Sequence, residues 1–230
     1  MKKAALGIIA IAALIGTPAL AADMALKAPP PPPPPAWSWT GFYGGLEAGA
    51  GWGTSRQTDT SGVTSGDYSQ SGGLFGGTIG YNWQINHIVF GLEADLSWTG
   101  IDGSVSLPVC TAGKGTMCFT NMQGLNTDRA RLGIAWDRFL VYVTGGLAGA
   151  SIYDGQQSCA TPTAGASCGT QTEWTGTIGG GVEAYLAPKL SLKLEYLYAD
   201  FGTKQSYTVV IPVSVSERVN ILRAGINYHF

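Results

Sequence analysis

Charged side chains make up only 12% of this 230-residue chain, about half the share of an ordinary soluble domain. Histidine occurs twice and cysteine four times. Beyond residue 21 there is no apolar run of 18 residues, which excludes transmembrane helices. A hydrophobic share of 45% is too high for a disordered chain. No basic stretch is present and the net charge is −2, so nucleic acid is not a partner suggested by this chain. With so few histidines and no nucleophile elbow, neither acid–base nor acyl-transfer catalysis is signalled. Gly179-Gly180-Gly181-Val182-Glu183-Ala184 loosely matches a dinucleotide fingerprint, but it lies in a strand pattern with no helix to follow. No cofactor and no metal is expected.

The chain opens with Lys2 and Lys3, the twelve-residue apolar run Ala4–Ile15, Pro18, and the small-residue triplet Ala19-Leu20-Ala21. This is the pattern of a secretory signal peptide spanning 1–21. Twelve residues cannot cross a hydrocarbon core that needs about 20. Loss of Lys2 and Lys3 makes the net charge −4 and leaves a mature chain of 209 residues, enough for one large all-β domain. Residues 22–37 form a proline-rich leader in which Pro29–Pro35 is unbroken. Such a run is a stiff polyproline II rod, reaching roughly 20 Å at about 3.1 Å per residue. It serves either as a spacer or as a ligand for a proline-binding domain or the peptidoglycan wall.

Eight segments of period-two patterning follow. The clearest is the last, where Leu222, Ala224, Ile226, Tyr228 and Phe230 alternate with Arg223, Gly225, Asn227 and His229. The others cover 39–53, 73–83, 88–98, 125–136, 139–153, 173–186 and 190–199. Their apolar phases include Phe42, Leu46 and Trp52; Phe75, Ile79 and Trp83; Ile88, Leu92 and Trp98; Leu132 and Trp136; Val141, Val143 and Leu147; Trp174, Ile178 and Val182; and Leu192, Leu194 and Tyr196. The turns at 84–87, 137–138 and 187–189 are tight. The connections 54–72, 99–124, 154–172 and 200–217 read as long Gly/Ser/Thr-rich loops. Trp39, Trp52, Trp83, Trp98, Trp136, Trp174 and Tyr198 lie near segment ends, as in an interfacial girdle.

An apolar secreted chain without long apolar runs has one route across a membrane, a closed barrel that satisfies its backbone between strands. Alternation, short turns on one rim, long loops on the other and aromatic ends predict an all-β fold: an eight-stranded antiparallel transmembrane β-barrel over 38–230 with short periplasmic turns and long extracellular loops. Its membrane is the outer membrane of a Gram-negative cell, with outer-membrane lipid and lipopolysaccharide as its surroundings. None of the outward positions just named is charged. Glu47, Glu93, Asp95, Arg129, Arg131, Glu183, Lys193, Glu195 and Arg223 fall in the opposite phase. They form a candidate lumen network, with Glu93 and Asp95 facing Arg129 and Arg131, Lys193 between Glu183 and Arg223, and Arg223 beside Glu47. Near-balance of sign lowers the cost of burying them. The lumen is either plugged by these groups or wet, since the inward glycines 45, 49, 51, 179 and 181 could leave room for water.

The cysteines form two local pairs, Cys110 with Cys118 and Cys159 with Cys168, and an oxidising compartment favours disulfides over a zinc site. Each such loop contributes about 2.5 kcal/mol on chain-entropy grounds.

Three stretches carry a family resemblance: Trp39-Thr40-Gly41-Phe42-Tyr43-Gly44-Gly45, Leu194-Glu195-Tyr196-Leu197-Tyr198-Ala199-Asp200-Phe201-Gly202, and the terminal Asn227-Tyr228-His229-Phe230. Together they resemble the small alphaproteobacterial major outer-membrane proteins, of the OmpA-like and opacity-protein class of porin-like eight-stranded barrels. The resemblance implies that Phe230, with Tyr228, belongs to the signal read by the barrel-assembly machinery. It is consistent with a structural, envelope-stabilising and surface-presenting role. A low-conductance porin, or an adhesin or receptor for a surface ligand, are the alternatives.

Overall fold

The computed structural model describes residues 37–59, 62, 64–106, 117–155, 168–206 and 213–230. The signal segment, the proline run, Cys110 and Cys159 lie outside the described residues. Eight antiparallel strands run β1 (Gly41–Asp59), β2 (Tyr68–Ile85), β3 (Ile88–Ser106), β4 (Met117–Trp136), β5 (Phe139–Gly155), β6 (Cys168–Ala187), β7 (Leu190–Ser206) and β8 (Val213–His229). Each pairs with its sequence neighbours, and β1 pairs with β8 from Tyr43↔His229 to Asp59↔Val213, which closes the barrel. No sheet edge remains, so the ladder satisfies the backbone in hydrocarbon.

The tight turns behave as the alternation requires. Asn86 and Asp137 each adopt a φ of 54°, a left-handed conformation that Asn and Asp tolerate better than other non-glycine residues. Each turn is also tied to the next hairpin. The amides of Ala135, Tyr185 and His229 donate to the carbonyls of His87, Arg138 and Lys189 at 2.7, 2.9 and 2.8 Å. At the seam, Phe230 N donates to Phe42 O at 3.0 Å. Both ends of the barrel chain therefore sit on the short-turn rim.

The strands are longer than their apolar phases. At 17–20 residues, a rise of about 3.3 Å and a tilt of 35–45° give a wall about 45 Å tall. The apolar band needs only about 25 Å of that height. Most of the expected long loops are therefore wall: Thr54–Asp59 pairs with Val213–Arg218, and Ile101–Ser106 pairs with Met117–Met122. Here water bathes the outside, so Ser and Thr alternate with little polarity contrast, and the ladder supplies the order that the apolar pattern cannot signal. A bulge at Gln123 in β4 switches the phase, so that both Met122 and Leu125 point inward.

Trp39 departs from the expected girdle. It is fully buried, because Trp37–Thr40 folds under the periplasmic mouth instead of lying along the wall. Its amide donates to Gln84 Oε1 at 2.7 Å, and its ring packs 4.3 Å from Tyr185.

Candidate functional site

The inner face is filled, and β8 shows how. From the periplasmic rim upward its inward side chains are His229, Asn227, Gly225, Arg223, Ile221, Val219 and Glu217, an order that moves from aromatic contacts to charge, to aliphatic, to polar. The other strands add to the same four layers.

At the periplasmic mouth, Trp39 and Tyr185 pack against His229, whose ring centroid lies 4.8 Å from Tyr185 and, edge-on, 5.7 Å from Trp39. Val89, Ala135, Leu140 and Tyr142 complete the buried cluster around Trp39 and Tyr185. Tyr185 Oη donates to Ser38 O at 2.9 Å, so the incoming segment is held by hydrogen bonds as well as by stacking.

Above it lie the nine charged side chains, each no more than 5% exposed. Arg129 reaches Glu93 at 2.5 Å, Asp95 at 2.6 Å and Glu195 at 3.0 Å. Arg223 pairs with Glu47 and reaches Glu195 at 2.6 Å and Asp95 at 2.8 Å. Lys193 Nζ lies 3.2 Å from Glu93 and 3.4 Å from Glu47. Arg131 contacts Glu183 at 3.1 Å, and its guanidinium sits between the rings of Tyr43 and Tyr142, 4.6 and 5.1 Å from their centroids. Hydroxyl groups finish the set: Tyr43 donates to Glu93 at 2.7 Å, Tyr142 to Glu195 at 2.8 Å and Thr127 to Asp95 at 2.5 Å. Five acids against four bases, with most lone pairs engaged, is the condition under which a buried ionic cluster is tolerated.

The third layer is aliphatic. Ile101, Met122, Leu125, Leu197, Val219 and Ile221 are each at most 2% exposed. The fourth is a polar hydrogen-bonded layer that includes the buried carboxyl of Glu217: Tyr68 Oη and Thr120 Oγ1 lie 2.7 Å apart, Gln57 donates to Tyr68 at 3.1 Å, and Gln70 donates to Glu217 at 2.8 Å. Outside the same strands, Phe42, Leu46, Ile79, Leu96, Trp98 and Ile178 are 60% exposed or more. Large apolar groups outside and a polar lumen inside fit a bilayer, not water, as the surrounding solvent.

The outer membrane protein beta-barrel domain family matches residues 9–230. The chain belongs to that family. Among its relatives is the 31 kDa outer-membrane immunogenic protein of Brucella melitensis, 34% identical over 96% of this chain and 97% of the relative. Another is the 22 kDa outer membrane protein of Rhizobium leguminosarum, 36% identical over 73% of this chain and 66% of the relative. OprG, an outer membrane protein of Pseudomonas aeruginosa, shares the fold with a TM-score of 0.52, covering 84% of this chain and 99% of OprG at 12% identity. The protein is an integral β-barrel of the Gram-negative outer membrane.

Within this family barrel, the contacts correct three expectations. Glu183 and Lys193 face each other in register, yet Lys193 crosses the lumen to Glu93 and Glu47. Glu183 instead binds Arg131, Ser191 at 2.6 Å and Asn227 at 2.8 Å. A long flexible stem lets the ammonium choose a denser cluster of carboxylates. The inward glycines do not leave room for water. A Cβ on Gly181 would sit 2.7 Å from Tyr142 Oη, and one on Gly49 would sit 2.7 Å from Arg223 Cα. They are small because neighbouring chain and side chains occupy that space. Finally, among the described residues, the outer face of the apolar band carries one charge outside the apolar positions named above: Asp128, in phase with Ala130 and Leu132, is exposed on β4.

Sequence reasoning also missed Tyr142, Thr127, Ser191, Asn227 and His229 as partners of the charges. Their inward phase was legible; their reach across the lumen was not. Ser191, His229 and Glu183 come together, with Ser191 Oγ 2.9 Å from His229 Nε2. Glu183 lies 3.5 Å from that same Nε2, so it does not orient the other ring nitrogen as a hydrolase triad requires. Cys118 is buried and disulfide-bonded.

Proposed function

We propose that the barrel is a non-conducting structural element of the outer membrane that stabilises the envelope and presents its upper rim to the outside. The observation carrying this reading is the stack of layers: an aliphatic layer above the charge network and an aromatic one below it block both approaches to the polar middle. An ion entering the network would have to cross one of the apolar layers and displace a paired side chain. The test is single-channel recording of the refolded mature protein in planar bilayers. The reading expects no steps of stable size. Regular steps that change when Arg129 or Arg131 is replaced would support the low-conductance porin instead.

The wall that rises above the apolar band supports the surface-presenting part of this role, and it equally serves an adhesin or receptor. In that reading the disulfides Cys110–Cys118 and Cys159–Cys168 staple the loops that meet the ligand. Loss of ligand capture by whole cells on trimming 107–116 would favour it. Residues 1–21 are proposed as a cleaved signal peptide and 22–37 as a periplasmic leader, with spacer or peptidoglycan contact as its role. Tyr228 and Phe230 project outward at the seam and are proposed as the sequence read by the barrel-assembly machinery. Deleting Phe230 should reduce assembled barrel in cells while leaving refolding in detergent intact.

A further inference from the structure

Asp128 is the one acidic or basic side chain on the outward face of the apolar band among the described residues, and it has a groove beside it. Strand β3 crosses the band in eleven residues, from Ile88 to Trp98. Asp128 stands eight residues above the rim residue Trp136 on the adjoining strand, so it lies just inside the outer edge of the band. Its pairing partners, Ala94 and Leu147, offer no counter-charge. A shallow groove on the outer wall is lined by Phe42, Gly44, Ile79, Leu92, Ala94 and Ala130, and it includes Asp128. Two register rows make it: Gly44–Ile79–Ala94–Asp128 and Phe42–Tyr81–Leu92–Ala130. Because the strands tilt by 35–45°, a row across them climbs the wall. The groove thus rises from near the periplasmic rim on β1 to the carboxylate on β4, with small residues at Gly44, Ala94 and Ala130.

An apolar trough that ends on a single carboxylate is complementary to an amphiphile with a cationic head. A charge facing lipid is disfavoured unless it finds a partner, and an intramembrane ionisable group marks a site for that reason. A single carboxylate flanked by Ala94 and Leu147 matches the single positive charge of an organic ammonium. We infer that Asp128 and this groove bind a membrane lipid whose headgroup carries an ammonium, with the ammonium on Asp128 and an acyl chain along Ala130, Ala94 and Gly44. The inference rests on the outer-membrane placement and not on the closed lumen, so the conductance test can fail without touching it.

The test is native mass spectrometry of the refolded mature barrel with equimolar dimyristoyl phosphatidylethanolamine and dimyristoyl phosphatidylglycerol, which differ in the headgroup. The wild type should retain the ethanolamine lipid over the glycerol lipid by roughly fivefold, the size expected of one partly exposed ion pair. Asp128→Asn should abolish that preference. Ala130→Phe, which fills the trough, should weaken retention of the ethanolamine lipid while Asp128 is still present. Heat-modifiable gel mobility identifies variants that remain folded barrels. Equal retention of the two lipids by the wild type would overturn the inference, as would an unchanged preference in Asp128→Asn. A preference for the glycerol lipid that needs magnesium and disappears with chelator would overturn it in favour of a bridging metal ion.

Discussion

Two adjacent layers of one lumen solve the same filling problem in different ways. The charged layer packs Glu47, Glu93, Asp95 and Glu195 against Arg129, Lys193 and Arg223, where each base meets at least two acids. The aliphatic layer just above packs Ile101, Leu125, Leu197 and Ile221 with no directional bonds. Hydrophobic filling tolerates exchange of similar volumes, whereas an ionic cluster tolerates almost no deletion, because each missing partner strands the others away from water. The charged layer therefore fixes which strands face which across the lumen, and the aliphatic layer seals it. Together they give the barrel one register and little room for passage.

The largest break in that comparison should come from Arg223→Met, which leaves Glu47, Asp95 and Glu195 short of a partner. It should cost about 3–5 kcal/mol in urea unfolding from lipid vesicles. Lys193→Met removes two contacts, both longer than 3 Å, and should cost less in the same assay. If the two variants were equally stable, the network would be acting as diffuse charge and not as defined pairs. Leu197→Ala, in the aliphatic layer, should cost about 2–4 kcal/mol through the cavity it leaves, without changing gel mobility at room temperature.

Two glycines sharpen the comparison further. Gly49→Ala drives a Cβ into the backbone of β8, and Gly51→Ala meets only the mobile end of Ile101. The first should cost about 2–3 kcal/mol and resist rescue; the second should cost about 1 kcal/mol and be relieved by Ile101→Val. The smallest effect lies above the membrane. The Arg56 hydrogen bond, 2.7 Å long, holds the Asp67 carboxyl below its usual range. A depressed carboxylate contributes at neutral pH, and its contribution fades as pH falls through the ordinary carboxylate range towards the depressed value. Because the pair is exposed, Asp67→Asn should leave the unfolding midpoint near that of the wild type at pH 7 and remove only a slight loss on acidification.

Much of this molecule was legible because period-two patterning is a local property. Leu222 to Phe230 carry both faces of a strand in nine residues, and the short turns at Asn86-His87 and Asp137-Arg138 declare the periplasmic rim. The assignment of Val141, Val143 and Leu147 outward in glycine-rich β5 matches their exposure. Legibility faded where polarity contrast faded: the wall above the band looked like loop, and the bulge at Gln123 hid the inward turn of Met122. Asp128 was readable from the phase of Ala130 and Leu132, which it shares.

What the sequence determined by itself was strand number, phase, membrane and sign: which residues face lipid, which face inward, and that acids and bases there nearly cancel. Only the tertiary structure decided the partners. Lys193 leaves its registered neighbour Glu183 for carboxylates across the lumen, Trp39 turns under the mouth instead of joining the girdle, and the inward glycines become floors for Tyr142 and Arg223. The reason is that phase is set by adjacent residues along one strand, whereas lumen contacts depend on barrel closure and shear, which bring together positions more than a hundred residues apart.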